Sequence, residues 1–217
     1  MNIVDYFTKF IRDCTDGDQN KSIMLTGGRS AKILYQNYHK NNKNKVIKNV
    51  DFFLTDERYV MPDSAESNQR LIEENFISGH QLSSNSSFNT FDTTEDNPAL
   101  ICNSYESLLP TQIDLMILSM GEDGHIASLF PYSDALKEYS KNILSTLCPK
   151  PPPNRFTITP KVINNAKEIF VLCFGDEKRR KYEEAKTKPD DCDSIPARLV
   201  LNRNWIFDID DDIDLKK

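Results

Sequence analysis

The residues able to move a proton or hold an anion fall in a few short segments. His125 follows Asp123 and Gly124 in "SMGEDGHIASLFP". An imidazole titrates near neutrality, so it can take a proton from water and return it to a leaving group, and a carboxylate two residues away can fix its tautomer. The same histidine also fits a helix cap. Arg58 stands two residues after Asp56 in "LTDERYV", Arg155 opens the alternating run "RFTIT", Arg29 and Ser30 follow the glycines of "TGGRS", and Lys178 sits in "GDEKRRKYEEA". The Asp-Glu-Arg triplet also fits a structural salt-bridge cluster. A cation such as Lys178 in a first helical turn has the wrong sign for the helix dipole, a penalty that a bound anion would offset. The other two histidines, His39 and His80, lie in polar stretches and read as surface residues. No second histidine or ligand set at metal spacing accompanies His125, so no metal is expected.

Something must bring these segments together. Apolar runs at 22–26, 50–55, 113–120 and 168–174 read as buried strands, and the helical spacing at 31–38, 68–77, 98–108 and 176–186 supplies the elements between them. Strands alternating with helices predict an α/β fold with a parallel sheet flanked by helices, in which ligands bind at the carboxyl ends of the strands. The glycines agree: of seven, Gly27, Gly28, Gly121, Gly124 and Gly175 fall in the turns that follow predicted strands. Glycine there lets the backbone approach a ligand, and the next helix opens with unbonded N–H groups and a positive dipole end. Glycines also serve plain tight turns; the ionisable residues at the same strand ends favour an anion site.

The stretches 39–48 and 78–90 read as solvated connectors, "CPKPPPNRF" as a proline-stiffened extended arm leading to Arg155, and the acidic tail "FDIDDDIDLKK" as a solvated end. No internal repeat is visible.

The chain has 217 residues, of which 38% are hydrophobic, which predicts one domain spanning 1–217 with a sizeable core. With 27 Lys and Arg against 33 Asp and Glu the net charge is −6, which argues against a broad nucleic-acid surface. No apolar run approaches the roughly 20 residues of a membrane span, and Asp5 and Lys9 interrupt what a signal peptide would need to keep apolar, so a cytoplasmic protein is expected. Five scattered cysteines, none spaced C-x-x-C, read as reduced thiols, with Cys173 a buried hydrophobe.

In order along the chain, "TGGRS", "TDERYVMPDSAESNQR", "SMGEDGHIASLFP", "PPPNRFTIT", "GDEKRRKYEEA" and "SIPARLV" closely resemble the motif series of the 6-phosphogluconolactonases. The resemblance implies a modified Rossmann-like fold of the deaminase, ribose-5-phosphate isomerase and CoA-transferase kind. It also implies hydrolysis of 6-phosphoglucono-δ-lactone in the oxidative pentose phosphate pathway without metal or cofactor, by a monomer whose partner is the phosphorylated sugar lactone. On that reading His125, Asp123 and Arg58 are catalytic, and Gly27, Gly28, Arg29, Ser30, Asp56, Arg155 and Lys178 bind substrate or its phosphate. The related aminosugar-phosphate deaminases carry Asp-Glu-Tyr and "FNEP" where this chain has "DER" and "SLFP". A sugar-phosphate sensor would need a DNA-binding segment for which the chain has little room. Two departures stand out: the family's "GGSTP" loop reads Gly27-Gly28-Arg29-Ser30-Ala31 here, and Ser119 replaces the glycine that often opens "GMG".

Overall fold

A computed structural model describes residues 1–213. In chain order the elements are α1 (Ile3–Asp16), β1 (Lys21–Leu25), α2 (Arg29–Asn42), β2 (Val46–Ile47), β3 (Val50–Leu54), β4 (Asp56–Arg58), α3 (Asn68–Asn75), β5 (Gln81–Leu82), β6 (Ser87–Phe88), α4 (Pro98–Leu108), β7 (Leu115–Ser119), β8 (Ile143–Leu147), β9 (Asn154–Ile158), α5 (Pro160–Asn165), β10 (Glu168–Leu172), α6 (Asp176–Thr187) and β11 (Asn204–Ile206). The fold is α/β, with a central parallel sheet in the order β11-β10-β7-β1-β3-β6 flanked by helices. A second, antiparallel sheet, β4-β9-β8, grows out of the end of β3.

The four apolar runs become adjacent central strands because nearly every side chain along them is buried on both faces. This adjacency makes the site. The turns after β1, β7 and β10 lie side by side at one end of the sheet, carrying Gly27 and Gly28, Gly121 and Gly124, and Gly175. Two tyrosines pin that end. Tyr35 of α2 donates to the Thr26 carbonyl at 2.7 Å, fixing the turn after β1. The Tyr105 hydroxyl of α4 meets both the amide and the carbonyl of Leu54, at 2.6 and 2.8 Å, where β3 leaves the main sheet. Thr55 then joins the two sheets, its amide donating to Leu25 and its carbonyl accepting from Ile158. A buried backbone group left without such a partner would cost ~1–3 kcal/mol, so these bonds fix where β4 begins.

Several segments differ from expectation. The stretch 39–48 contains the last turn of α2 and strand β2, and 78–90 contains β5 and β6, the latter an edge strand of the main sheet. His39 and His80 are half-buried rather than surface residues; their rings meet edge to face 5.6 Å apart, and His80 packs on Tyr38 and Phe76. Burial first, and then neighbouring His39, lower the His80 imidazole's affinity for a proton. The proline segment is a hairpin loop between β8 and β9, closed by the Cys148 amide on the Pro153 carbonyl, with a cis Pro151–Pro152 bond, and not an extended arm. The acidic tail is not wholly solvated: Ile209 and Ile213 pack on the core, the Ile213 amide donates to the Met1 carbonyl, and the amino terminus pairs with Asp212 at 2.6 Å. The last residues of that tail, 214–217, lie outside the described residues. All five cysteines are free thiols and Cys173 is fully buried.

The amino-terminal segment forms α1, capped by Asn2 and burying Ile3, Val4, Phe7, Ile11 and Cys14 along one face. Phe7 meets Tyr38 and Phe76, which ties α1 to α2 and to the end of α3. Burying each large side chain of this cluster contributes ~1.5–3 kcal/mol. Among the described residues no helix is long and apolar enough to cross a membrane.

Candidate active site

A cleft of about 340 Å³ opens at the carboxyl ends of β1, β7 and β3 and is walled on one side by the antiparallel sheet. Gly27, Gly28, Arg29, Asp56, Arg58, His125, Arg155 and Lys178 line it; Ser30 and Asp123 stand directly behind the lining.

His125 sits in the loop after β7. Asp123 Oδ1 accepts from its Nδ1 at 2.5 Å, which places the ring proton on Nδ1 and leaves Nε2 as the basic nitrogen. Phe130 stacks on the imidazole at 4.2 Å between centroids and an interplanar angle of 16°. The pair fits only because residue 121 is glycine: a Cβ there would lie 2.1 Å from His125 Cε1 and 2.8 Å from Asp123 Oδ1. Burial disfavours charge on Asp123, but His125 and then Lys150 outweigh it and hold the carboxyl well below the usual range. The "SIPARLV" motif supports this loop. The Ala197 amide donates to the Gly124 carbonyl at 2.9 Å, and buried Arg198 braces the end of α6 through the carbonyls of Ala185 and Asp191.

The cations come from three elements. Arg58 on β4 and Arg155 on β9 are direct cross-strand partners. Like charges in that relation repel, and no carboxylate among the described residues forms an ion pair with either, so an anion between them would relieve the repulsion. Arg58 donates to the Glu66 carbonyl, and its buried Nε has no protein partner. Arg155 is clasped by the proline loop, Nε donating to the Pro152 carbonyl at 3.0 Å, and its guanidinium lies 5.6 Å from the Phe130 centroid. Burial lowers Arg155's proton affinity, with Arg58 adding and Asp56 opposing, although a guanidinium keeps its charge at any working pH.

Lys178, in the first turn of α6, bonds the hydroxyls of Ser30 at 3.1 Å and Ser119 at 3.3 Å. Burial pushes its ammonium down from the ordinary lysine value. Helices α2 and α6 both begin at glycines with positive φ, Gly28 at 92° and Gly175 at 100°, and neither cap offers a side-chain acceptor to the first amides. At the cleft, the start of α2 and Lys178 offer donors suited to an anion.

Arg29 points outward, 92% exposed, with one guanidinium nitrogen 3.4 Å from Glu122 at the cleft rim. Asp56 is buried, and its carboxylate already accepts from Thr55 at 2.9 Å and Ser128 at 2.7 Å. Three further residues stand at the site without having been assigned to it from the sequence. Glu57 is a buried carboxylate that accepts from the amides of Arg58, Asn68 and Gln69 and from Ser67 Oγ, so it ties β4 to the start of α3. Burial raises its proton affinity against those four bonds. Asn68 donates to the Asp56 carbonyl while its buried Oδ1 has no protein partner and lies against Gly27. Lys150 lines the cleft from the proline loop and pairs with Asp123 at 2.8 Å. The Ser67 cap ahead of Asn68 was readable; the reach of Lys150 to Asp123 was not, because it depends on how the hairpin closes.

A parallel α/β sheet whose carboxyl-end cleft gathers cations and an imidazole–carboxylate pair is the arrangement of an enzyme that does acid–base chemistry on a small anionic molecule. The chain belongs to the family described as glucosamine-6-phosphate isomerases/6-phosphogluconolactonase, which it matches over residues 1–207. It is 33% identical over 207 residues to the 6-phosphogluconolactonase of Borreliella burgdorferi, covering 90% of this chain and 86% of that relative. It is 29% identical over 196 residues to that of Treponema pallidum, covering 85% and 80%. Among solved structures, the 6-phosphogluconolactonase of Shewanella baltica superposes with a TM-score of 0.78 at 25% identity over 92% of this chain and 86% of the other. That of Thermotoga maritima superposes with a TM-score of 0.74 at 29% identity over 90% and 89%.

Proposed function

We propose that this chain is a 6-phosphogluconolactonase, hydrolysing 6-phospho-D-glucono-1,5-lactone to 6-phosphogluconate in the oxidative pentose phosphate pathway, as a cytoplasmic monomer. The observation that carries the reading is one cleft holding both the His125–Asp123 pair and the cations Arg58, Arg155 and Lys178, none of them ion-paired to a carboxylate among the described residues.

A lactone is an activated ester, so a base for water, a partner for the developing oxyanion and a grip on the remote phosphate suffice. His125 Nε2 takes a proton from water as the water oxygen bonds to C1. Asp123 keeps the other ring proton on Nδ1 and stabilises the imidazolium that results. Arg58 faces the negative charge that builds on the C1 oxygen. When the tetrahedral intermediate collapses, the bond from C1 to the ring oxygen breaks and His125 returns its proton to that oxygen, which becomes the C5 hydroxyl. Gly27, Gly28, Ser30, Arg155 and Lys178 hold the phosphate through amides, hydroxyl and cations, and Asp56 ties the Thr55 and Ser128 hydroxyls together at the cleft wall. The binding energy of that phosphate grip positions the reacting carbon.

The direct test is acid release from the lactone with purified protein, corrected for spontaneous hydrolysis. The expected result is a rate well above background, with no ammonia released from glucosamine 6-phosphate. Ammonia release would move the chain to the deaminase branch of its family, and binding without turnover would make it a sensor.

A further inference from the structure

Lys150 has no part in the mechanism above, yet its position is not that of a casual surface lysine. Asp123 uses its two oxygens on two different groups: Oδ1 on the His125 ring at Nδ1 and Oδ2 on the Lys150 ammonium, the latter at 2.8 Å. The Phe130 ring that stacks on His125 also lies 5.9 Å from the Lys150 ammonium. The loop that presents Lys150 is held in place, because its carbonyls clasp the buried Arg155 guanidinium and its ends are closed by the Cys148–Pro153 backbone bond.

We propose that Lys150 is a positioning residue that shares the charge of Asp123 and thereby sets the pH at which His125 becomes free to accept a proton. A carboxylate with only His125 as partner would favour the imidazolium strongly and keep the base occupied by a proton. The Lys150 ammonium on the second oxygen offsets that pull, while leaving Asp123 charged to orient the ring. The remaining charges around the pair are Arg155 beside Phe130, Arg58, Lys178, and the Arg29–Glu122 pair at the rim, with the Lys181 side chain next to Gly124. None of these touches the free side of Asp123; Lys150 alone does so among the described residues.

The inference rests on His125 as the base, and the experiment separates the two. The His125 Cε1 proton is followed by NMR against pH in the wild type, Lys150→Met and Lys150→Arg, its resonance assigned by its loss in His125→Asn. The acid limb of kcat/KM is measured on the same proteins. Removing a partly exposed unit charge about one carboxylate away is expected to raise the His125 titration midpoint by roughly 0.5–1 pH unit and carry the acid limb with it. Lys150→Arg, which keeps the charge, is expected to restore both. Were Lys150→Met too unstable to titrate, Lys150→Gln makes the same test. An unmoved midpoint overturns the proposal whatever the activity does. A midpoint that moves while the acid limb stays put upholds the coupling and instead removes His125 from the role of base.

Discussion

At the amino end of the sheet, Asp114 gathers the Ser22 amide and hydroxyl at 3.0 and 3.1 Å, Lys167 at 2.6 Å and Lys21 at 3.6 Å. At the carboxyl end, Arg58, Arg155 and Lys178 line a cleft with no carboxylate in ion-pair contact among the described residues. The same kinds of side chain do opposite things. Below, burial opposes charge on Asp114 but Lys167, the Ser22 amide and Lys21 outweigh it, so the carboxyl is held down and the charges are spent on stability. Above, Arg155 and Lys178 are desolvated with only carbonyls and hydroxyls as partners, a cost that a bound anion would offset. Three cations held without a carboxylate, rather than charge itself, distinguish the end that carries the candidate site.

The sharpest way to break this contrast is Gly121→Ala. A Cβ pushed against His125 and Asp123 displaces the pair by up to an ångström, and such misplacement costs on the order of 10²-fold in kcat. Wild-type kcat in this variant would mean that the pair's geometry is irrelevant. Next come Arg155→Ala and Lys178→Ala. Each removes a charge-assisted contact worth ~1.5–3 kcal/mol, so KM for the phosphorylated lactone is expected to rise roughly 10- to 100-fold. Lys167→Ala at the far end is expected to leave KM alone. If KM stays put in both cleft variants, they do not hold the phosphate.

At the amino end the expectation is reversed. Asp114→Asn loses ~1–2 kcal/mol and several degrees in Tm while leaving the kinetics intact. Because the native carboxyl titrates below its unfolded value of about 3.9, its contribution is fully present above that pH and is lost as pH falls through the native value. The variant's stability is therefore expected to depend less on pH in that acid window, read by urea unfolding at a series of pH values. The smallest effect is on ligand-linked stability. Inorganic phosphate at about ten times its Kd stabilises by ~1.4 kcal/mol, a few degrees in Tm. That gain should vanish in the Arg155→Ala/Lys178→Ala double variant and persist in Lys167→Ala. A gain equal in both would place the anion elsewhere.

Legibility in the sequence followed the same division. Strands β1, β3, β7 and β10 could be read to within a few residues because burial on both faces leaves an uninterrupted apolar run, and α4 because Asn97, Pro98 and the following periodicity mark its start. Strands β2, β4, β5 and β6, of two or three residues each, are too short to show a period. The helix α1 could have been found from its Asn2 cap and the spacing of Ile3, Phe7, Ile11 and Cys14. The glycine turns pointed to one end of the sheet, but the strand order that sets β10, β7 and β1 side by side is long-range information. For the same reason the His39–His80 contact, the Arg58–Arg155 pairing and the link from Lys150 to Asp123 were out of reach: each joins segments that only folding brings together.

The central claim is that His125, held by Asp123, is the base for lactone hydrolysis. Its most direct test is the rate of acid release from 6-phosphoglucono-δ-lactone by folded His125→Ala, with spontaneous hydrolysis subtracted. A loss of ~10²- to 10⁴-fold relative to wild type is predicted. A folded variant that hydrolyses the lactone at the wild-type rate above background would contradict it.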